Sequence, residues 1–225
     1  MSASANDERP PVRLGVLISG EGSNLQAIID AVEHRQLKAD IRVVVSNKSG
    51  VGGLERARRH GIPSKVISHR GKSREQFDGE LVAALRSHEV ELVACAGFMR
   101  LLSPVMVRAF PYRIMNIHPA LCPAFPGTGA QRAAADYGVR FSGCTVFFVT
   151  EGVDDGPIII QAVVPVNPED DAAAVAERIL LQEHRIYPEA IRLYQQGRLE
   201  VRGRKVLVPG MGSPADEVLI NPPLK

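Results

Sequence analysis

No stretch of this chain is apolar over the roughly 18 or more consecutive residues that a membrane-spanning helix requires, so no membrane partner is expected. The first residues, Met1 to Pro11, are polar with two prolines and lack the apolar core of a signal peptide. Cysteine is scarce: Cys95, Cys122 and Cys144 are three in number, widely spaced, and form no C-x-x-C. That pattern argues against a disulfide framework or a zinc site and fits a reducing, cytoplasmic setting. Charge of one sign is also missing. The 27 Lys and Arg residues nearly balance 25 Asp and Glu, a net charge of +2, so nucleic acid is not demanded as a partner either.

What is present is ordinary globular material. Apolar residues make up 45% of the 225 and charged residues 23%. A chain of this length buries roughly 70% of its unfolded surface and needs no metal to hold a core. Val12–Ile18 is a short apolar run between Pro11 and Gly20 and reads as a buried strand. A helix is expected over Asn24–Arg35, with Leu25, Ile28, Ile29 and Val32 on one face. Further strands are expected at Ile41–Val45, Ser64–Ile67, Glu91–Ala96, Ile114–Ile117, Cys144–Val149 and Ile158–Val166. Helices are expected at Leu54–His60, Ser73–Ser87, Pro104–Phe110 and Ala172–Gln196. Alternating strands and helices imply an α/β fold: an open, mostly parallel, doubly wound, Rossmann-like sheet of about seven strands. The expected domain runs over 13–200. A disordered extension precedes it at 1–12, and a C-terminal hairpin (Leu199–Val201 with Lys205–Val208) and loose tail follow over 201–225.

Open parallel sheets bind ligands beyond the carboxyl ends of their strands. The segments to interrogate are therefore Ser19–Asn24, Gly97–Leu102, Asn116–Pro119 and Thr150–Pro157. Gly20-Glu21-Gly22-Ser23-Asn24 joins a strand to a helix, where backbone N–H groups attract anions. The plainer reading is a tight turn with Ser23 or Asn24 as helix cap. A dinucleotide fingerprint would need a glycine where Leu25 stands and an acidic residue where Ser46-Asn47-Lys48 stands. No Gly-Lys-Ser/Thr follows, so this is not a P-loop. A monophosphate remains.

Among six histidines, only His118 follows an apolar strand directly and stands two residues from Asn116. Strand alternation places these two on one face. Asp154, in Asp154-Asp155-Gly156-Pro157, is the carboxylate available to complete a set, against the plain alternative of a turn aspartate. Amide, imidazole and carboxylate suit acyl transfer without a covalent enzyme intermediate. Asn116 and His118 would stabilise a tetrahedral oxyanion, His118 would also act as general acid, and Asp154 would orient it and relay protons. No Gly-x-Ser-x-Gly elbow is present, and His118 has no neighbours at metal-ligand spacing.

Six segments together resemble the phosphoribosylglycinamide formyltransferase family. They are Ile18-Ser19-Gly20-Glu21-Gly22-Ser23-Asn24-Leu25-Gln26, Ser46-Asn47-Lys48, Ala96-Gly97-Phe98-Met99-Arg100, Asn116-Ile117-His118-Pro119, Asp154-Asp155-Gly156-Pro157 and Gln182-Glu183-His184. The resemblance implies formyl transfer from 10-formyltetrahydrofolate to the amine of glycinamide ribonucleotide, without a metal, by a monomer or homodimer. It implies that Gly22, Ser23 and Asn24 hold the substrate phosphate and that Glu183 contacts the same substrate. Folate would lie against Arg74, Met99, Arg100, Leu101, Leu102, Asn116, Thr150, Glu151, Gly152, Val153 and Asp154. The chain departs from the family pattern at Ala120, Cys122, Phe147 and Thr128-Gly129-Ala130-Gln131. Two sister enzymes share parts of the pattern. With only Met1–Pro11 ahead of the first strand, the extra domain of a formyltetrahydrofolate hydrolase is not expected, and with few residues after Gly197 neither is the tRNA domain of a methionyl-tRNA formyltransferase. A non-catalytic metabolite-binding module would be expected to have lost the Asn116, His118 and Asp154 set, which is intact.

Overall fold

The computed structural model describes residues 9–210 together with 219 and 221. The extension expected over 1–12 lies outside the described residues as far as 8, and so does the tail beyond 210 apart from those two positions. The elements are β1 (Val12–Ile18), α1 (Ser23–Glu33), β2 (Ala39–Ser46), α2 (Gly52–Arg59), β3 (Ser64–Val66), α3 (Arg74–Ser87), β4 (Leu92–Cys95), α4 (Pro104–Ala109), β5 (Ile114–His118), α5 (Ala130–Tyr137), β6 (Phe141–Phe148), β7 (Ile158–Pro165), α6 (Ala172–Gln195), β8 (Glu200–Arg202) and β9 (Lys205–Leu207).

The strands form one sheet in the order β3-β2-β1-β4-β5-β6-β7-β9-β8. The first five run parallel. Their side chains alternate between two cores. Val16, Ile18, Val44, Ala94 and Met115 pack on one face with Leu25 and Ile28 of α1 and Ile191 of α6. Leu17, Val43, Val45, Val93 and Ile114 pack on the other with Phe77, Leu81 and Leu85 of α3 and Met106 of α4. Burial on both faces is why these strands read as continuous apolar runs. Each large side chain so buried contributes roughly 1.5–3 kcal/mol.

Helix starts follow local chemistry. Ser73 caps α3 in a full capping box with Gln76, and Asp171 caps α6 by accepting from the Ala174 N–H at 2.8 Å. At α1 the cap is Gly22, left-handed at φ 73° and without a side-chain hydrogen bond, rather than Ser23 or Asn24.

Four features differ from the sequence expectations. The sheet has nine strands rather than about seven, because β9 joins β7 through the Ile158–Lys205 register and brings β8 with it. Helix α5, between left-handed Gly129 and Gly138, carries no large apolar stripe and buries only Ala130 and Ala134. Strand β6 begins at Phe141 rather than Cys144. It also pairs antiparallel with β5, so its carboxyl end lies beside Met115 rather than beside His118.

Candidate active site

Strand β1 connects outward to β2, whereas the chain returns across β1 to form β4. The crevice between the ends of β1 and β4 is therefore the topological switch point. The two ends are tied together: the Ser19 N–H donates to the Gly97 carbonyl at 3.1 Å. The buried Ser19 hydroxyl donates to Asn47 Oδ1 at 2.7 Å and accepts the Met99 N–H at 2.9 Å. One hydroxyl thus links the glycine loop, the Ser46-Asn47-Lys48 segment and the Met99 loop.

The glycine loop lies against the start of α2. The Gly53 N–H donates to the Gly20 carbonyl at 3.1 Å, and a Cβ on Gly22 would stand 2.7 Å from Gly53 Cα. Glycine is required at position 22 for this approach and for its positive φ. The first α1 bond of this turn runs from the Gln26 N–H to the Gly22 carbonyl. No side chain caps the turn and no acidic residue sits in it, so the N–H groups at its start remain for an anion.

Asn116 and His118 share one face of β5, opposite Phe147 and Thr145 of β6. His118 is 4% exposed. Its Nε2 lies 2.8 Å from the Phe125 carbonyl oxygen, which can only accept, so Nε2 carries a hydrogen. Its Nδ1 faces Asp154 Oδ2 at 3.6 Å, charge-pair range but beyond a hydrogen bond. Asp154 reaches this position although β6 runs the other way, because it adopts φ 50° within the long β6–β7 connection. The same Oδ2 accepts the Gly127 N–H at 2.8 Å. The neighbouring residues of the motif hold the turn. Asp155 accepts from Thr150 through its side chain and from Arg204 through its carbonyl, while a Cβ on Gly156 would collide with the Phe148 carbonyl.

The segment after His118 is held by Thr145. Its hydroxyl donates to the Ala120 carbonyl at 2.7 Å and accepts from the Cys122 N–H at 3.0 Å and from Gln161 Nε2 at 3.1 Å. Two of the family departures, Ala120 and Cys122, thus enter this network through their backbones. The third, Phe147, is a core residue at 2% exposure.

Glu183 of α6 is buried and accepts from Asn24 Nδ2 at 2.7 Å. Burial pushes its carboxyl above the usual range, partly offset by the Asn24 amide and by the charge of His118. Asn24, expected at a phosphate, therefore has one of its two amide N–H groups engaged within the protein, while its Oδ1 is buried without a hydrogen-bond partner. Tyr187, one turn further along α6, places its buried hydroxyl 3.1 and 3.0 Å from the carbonyls of Cys95 and Met115.

The expected folate residues lie on three segments around this centre. Met99, Leu101 and Val153 are exposed apolar side chains, at 63, 55 and 44%. Arg100 stacks on Phe77 at 5.7 Å, Leu102 packs against the α3-side core, and Arg74 is exposed at the start of α3. Thr150 binds Asp155, Glu151 pairs with Arg108 at 3.3 Å, and Gly152 lies exposed, close to Asp155. Beneath them, fully buried Asp78 accepts the Ser103 N–H, and burial raises its carboxyl against the pull of Ser103, Arg100 and Arg74. Sequence reasoning missed Asp78, Phe125 and Gly127. A carboxylate inside a helix and two backbone groups carry no signal of their own.

No metal-binding group of three or more His, Cys, Asp or Glu occurs among the described residues, and no helix among them is long and apolar enough to cross a membrane.

The model of the formyl transferase family matches residues 12–191. Over 194 residues the chain is 50% identical to the trifunctional purine biosynthetic protein adenosine-3 of Drosophila pseudoobscura pseudoobscura, covering 85% of this chain and 14% of that protein. Over 200 residues it is 43% identical to the phosphoribosylglycinamide formyltransferase of Escherichia coli (strain K12), covering 88% of this chain and 94% of that one. Its fold is similar to the crystal structure of glycinamide ribonucleotide transformylase 1 from Symbiobacterium toebii, with a TM-score of 0.87, 49% identity, and 91% and 95% of the two chains covered. The chain therefore spans a small part of the trifunctional relatives and nearly all of the Escherichia coli one. On these matches it belongs to the formyl transferase family, among the phosphoribosylglycinamide formyltransferases.

Proposed function

We propose that this chain transfers the formyl group of 10-formyltetrahydrofolate to the amine of glycinamide ribonucleotide, in purine biosynthesis and in the cytoplasm, as a monomer or homodimer. The observation that supports the reading is that Asn116 and His118 share one face of β5 with Asp154 3.6 Å from the His118 ring, while the start of α1 has no side-chain cap. The backbone of Gly22, Ser23 and Asn24 receives the substrate phosphate, and Glu183 contacts the same substrate. The exposed apolar groups of Met99, Leu101 and Val153 suit a flat heteroaromatic donor, which would cover them. Arg74, Arg100, Leu102, Thr150, Glu151 and Gly152 complete that side.

The amine attacks the formyl carbon, and the carbonyl oxygen becomes a tetrahedral oxyanion. Asn116 donates to it, and a protonated His118 adds positive charge; such a donor is worth on the order of 10²–10³ in rate. Nε2 is held by Phe125, so Nδ1, which has no hydrogen bond to Asp154, is the nitrogen left to exchange protons. The amine loses a proton as its C–N bond forms. The donor nitrogen gains one as its bond to the formyl carbon breaks, with His118 and Asp154 as the carriers.

The test is release of tetrahydrofolate from 10-formyltetrahydrofolate with and without glycinamide ribonucleotide. Release that depends on the amine supports the transferase. Release without it indicates a hydrolase, and no release at all leaves a binding module.

A further inference from the structure

A groove of about 570 Å³ opens beside the glycine loop, bounded by residues of α1, α2 and α6. Ser23 belongs both to the loop and to this groove, and Arg56 and His184 line it as well. Arg56 is fixed at the loop. Its Nε donates to the Glu21 carbonyl at 2.8 Å and its Nη1 to Gln26 Oε1 at 3.1 Å. The carboxylate in the groove, Asp30, is engaged by the Gln26 amide at 2.8 Å instead. Among the described residues Arg56 has no carboxylate partner, and those two bonds occupy two of a guanidinium's five N–H donors. A Cβ on Gly22 would stand 3.6 Å from Arg56 Cδ, so the side chain runs directly against the loop. His184 has its Nε2 buried without a hydrogen-bond partner.

An arginine held in place by two neutral oxygens has already lost most of its rotamer freedom, so it costs little to order around a ligand. A guanidinium fork also matches phosphate geometry in a way that a lysine does not. The start of α1, at Ser23 itself, has no side-chain cap, so its first-turn N–H groups are available to an anion.

We propose that Arg56 determines specificity for the phosphate of the amine substrate, its free donors and the first-turn N–H groups of α1 holding one phosphate from two sides. This rests on the formyl-transfer reading for the identity of the substrate, but not for the presence of an anion site.

The experiment compares the wild-type chain with Arg56→Gln and Arg56→Lys, using glycinamide ribonucleotide and its dephosphorylated riboside. The measured quantity is the ratio of kcat/KM for the two amines, with its dependence on salt; the KM for the folate donor is the internal reference. Arg56→Gln keeps an N–H for the Glu21 carbonyl but loses the charge. It is expected to lower the preference for the phosphorylated amine at least tenfold and to flatten the salt dependence. Arg56→Lys is expected to keep the salt dependence. A wild-type preference and salt slope in Arg56→Gln would reduce Arg56 to a brace for the loop and overturn the proposal. Binding of inorganic phosphate, measured by calorimetry on the same proteins, covers the case in which the chain formylates neither amine. Weaker binding by Arg56→Gln upholds the anion site and leaves only the reaction in error, whereas equal binding rejects the site itself.

Discussion

The side-chain amide of Asn24 donates to the buried Glu183 carboxylate at 2.7 Å, joining the first turn of α1 to the middle of α6 across 159 positions of sequence. Two consequences follow. One side-chain N–H of Asn24 is committed within the protein, and a carboxylate raised by burial is kept beside His118.

Glu183→Gln tests the second. A carboxyl raised by burial holds its proton more tightly in the folded than in the unfolded chain. Its contribution to stability therefore falls as pH rises from the ordinary carboxylate value through the higher folded one. The penalty is fully present above that window and absent below it. Glutamine keeps an oxygen for Asn24 and carries no charge. Its melting temperature should exceed wild type by about 3 °C at pH 8, with the gain shrinking toward pH 4. A difference that does not vary with pH would show that the charge is not the cause. The KM for the amine should rise in the same variant.

His118→Ala removes the imidazole facing Asp154 and frees the Phe125 carbonyl. We expect kcat to fall by about 10³, with the dissociation constant for the folate donor within a few fold. Single-turnover rates and calorimetry read the two quantities. A rate near wild type would remove His118 from the chemistry.

Asp154→Asn retains an oxygen for the Gly127 N–H and discards the charge opposite Nδ1. Turnover should drop by about 10²–10⁴, and the pH–rate profile should change shape. If the profile is unchanged, Asp154 is a turn residue only.

How far the fold and site could be read from sequence varies by residue, and the reasons are physical. Val43 and Val45 against Val44, or Val93 against Ala94, serve different cores, and such doubly buried strands announce themselves as apolar runs. Asn116 and His118 were legible because alternation puts polar residues two apart on one side of an otherwise apolar strand. Helix α5 was not, because two buried alanines leave no periodic signal. Nor was the joining of β9 to the sheet, which rests on one register pair. The antiparallel course of β6 was hidden too, since a buried strand reads the same in either direction. The Phe125 carbonyl on His118 had no signature at all: it is a backbone atom placed by a left-handed residue at φ 49°.

Gly22→Ala should damage the loop twice, through its φ of 73° and through the 2.7 Å approach of the new Cβ to Gly53 Cα. A cost of about 2 kcal/mol in urea unfolding is expected, together with a raised KM for the phosphorylated amine. A KM unchanged despite the lost stability would separate the loop from phosphate binding.

Thr145→Val removes a hydroxyl shared by the Ala120 carbonyl, the Cys122 N–H and Gln161. Leaving the buried Ala120 carbonyl and Cys122 N–H unpaired should cost about 2–3 kcal/mol and lower kcat, while Thr145→Ser should stay within about 1 kcal/mol of wild type. Equal losses in both variants would point to the methyl group instead.

The Tyr187 hydroxyl, shared between the carbonyls of Cys95 and Met115, bears on the order in which the fold is finished. During synthesis the glycine loop, β4, β5 and the hairpin bearing Asp154 all leave the ribosome before α6 does. Until α6 arrives, the two strand ends beside Asn116 lack their bridging donor and Asn24 lacks Glu183. A nascent chain can thus carry Asn116, His118 and Asp154 before it has the contacts that brace the strand ends beside them, and the last long helix is the keystone that supplies those contacts.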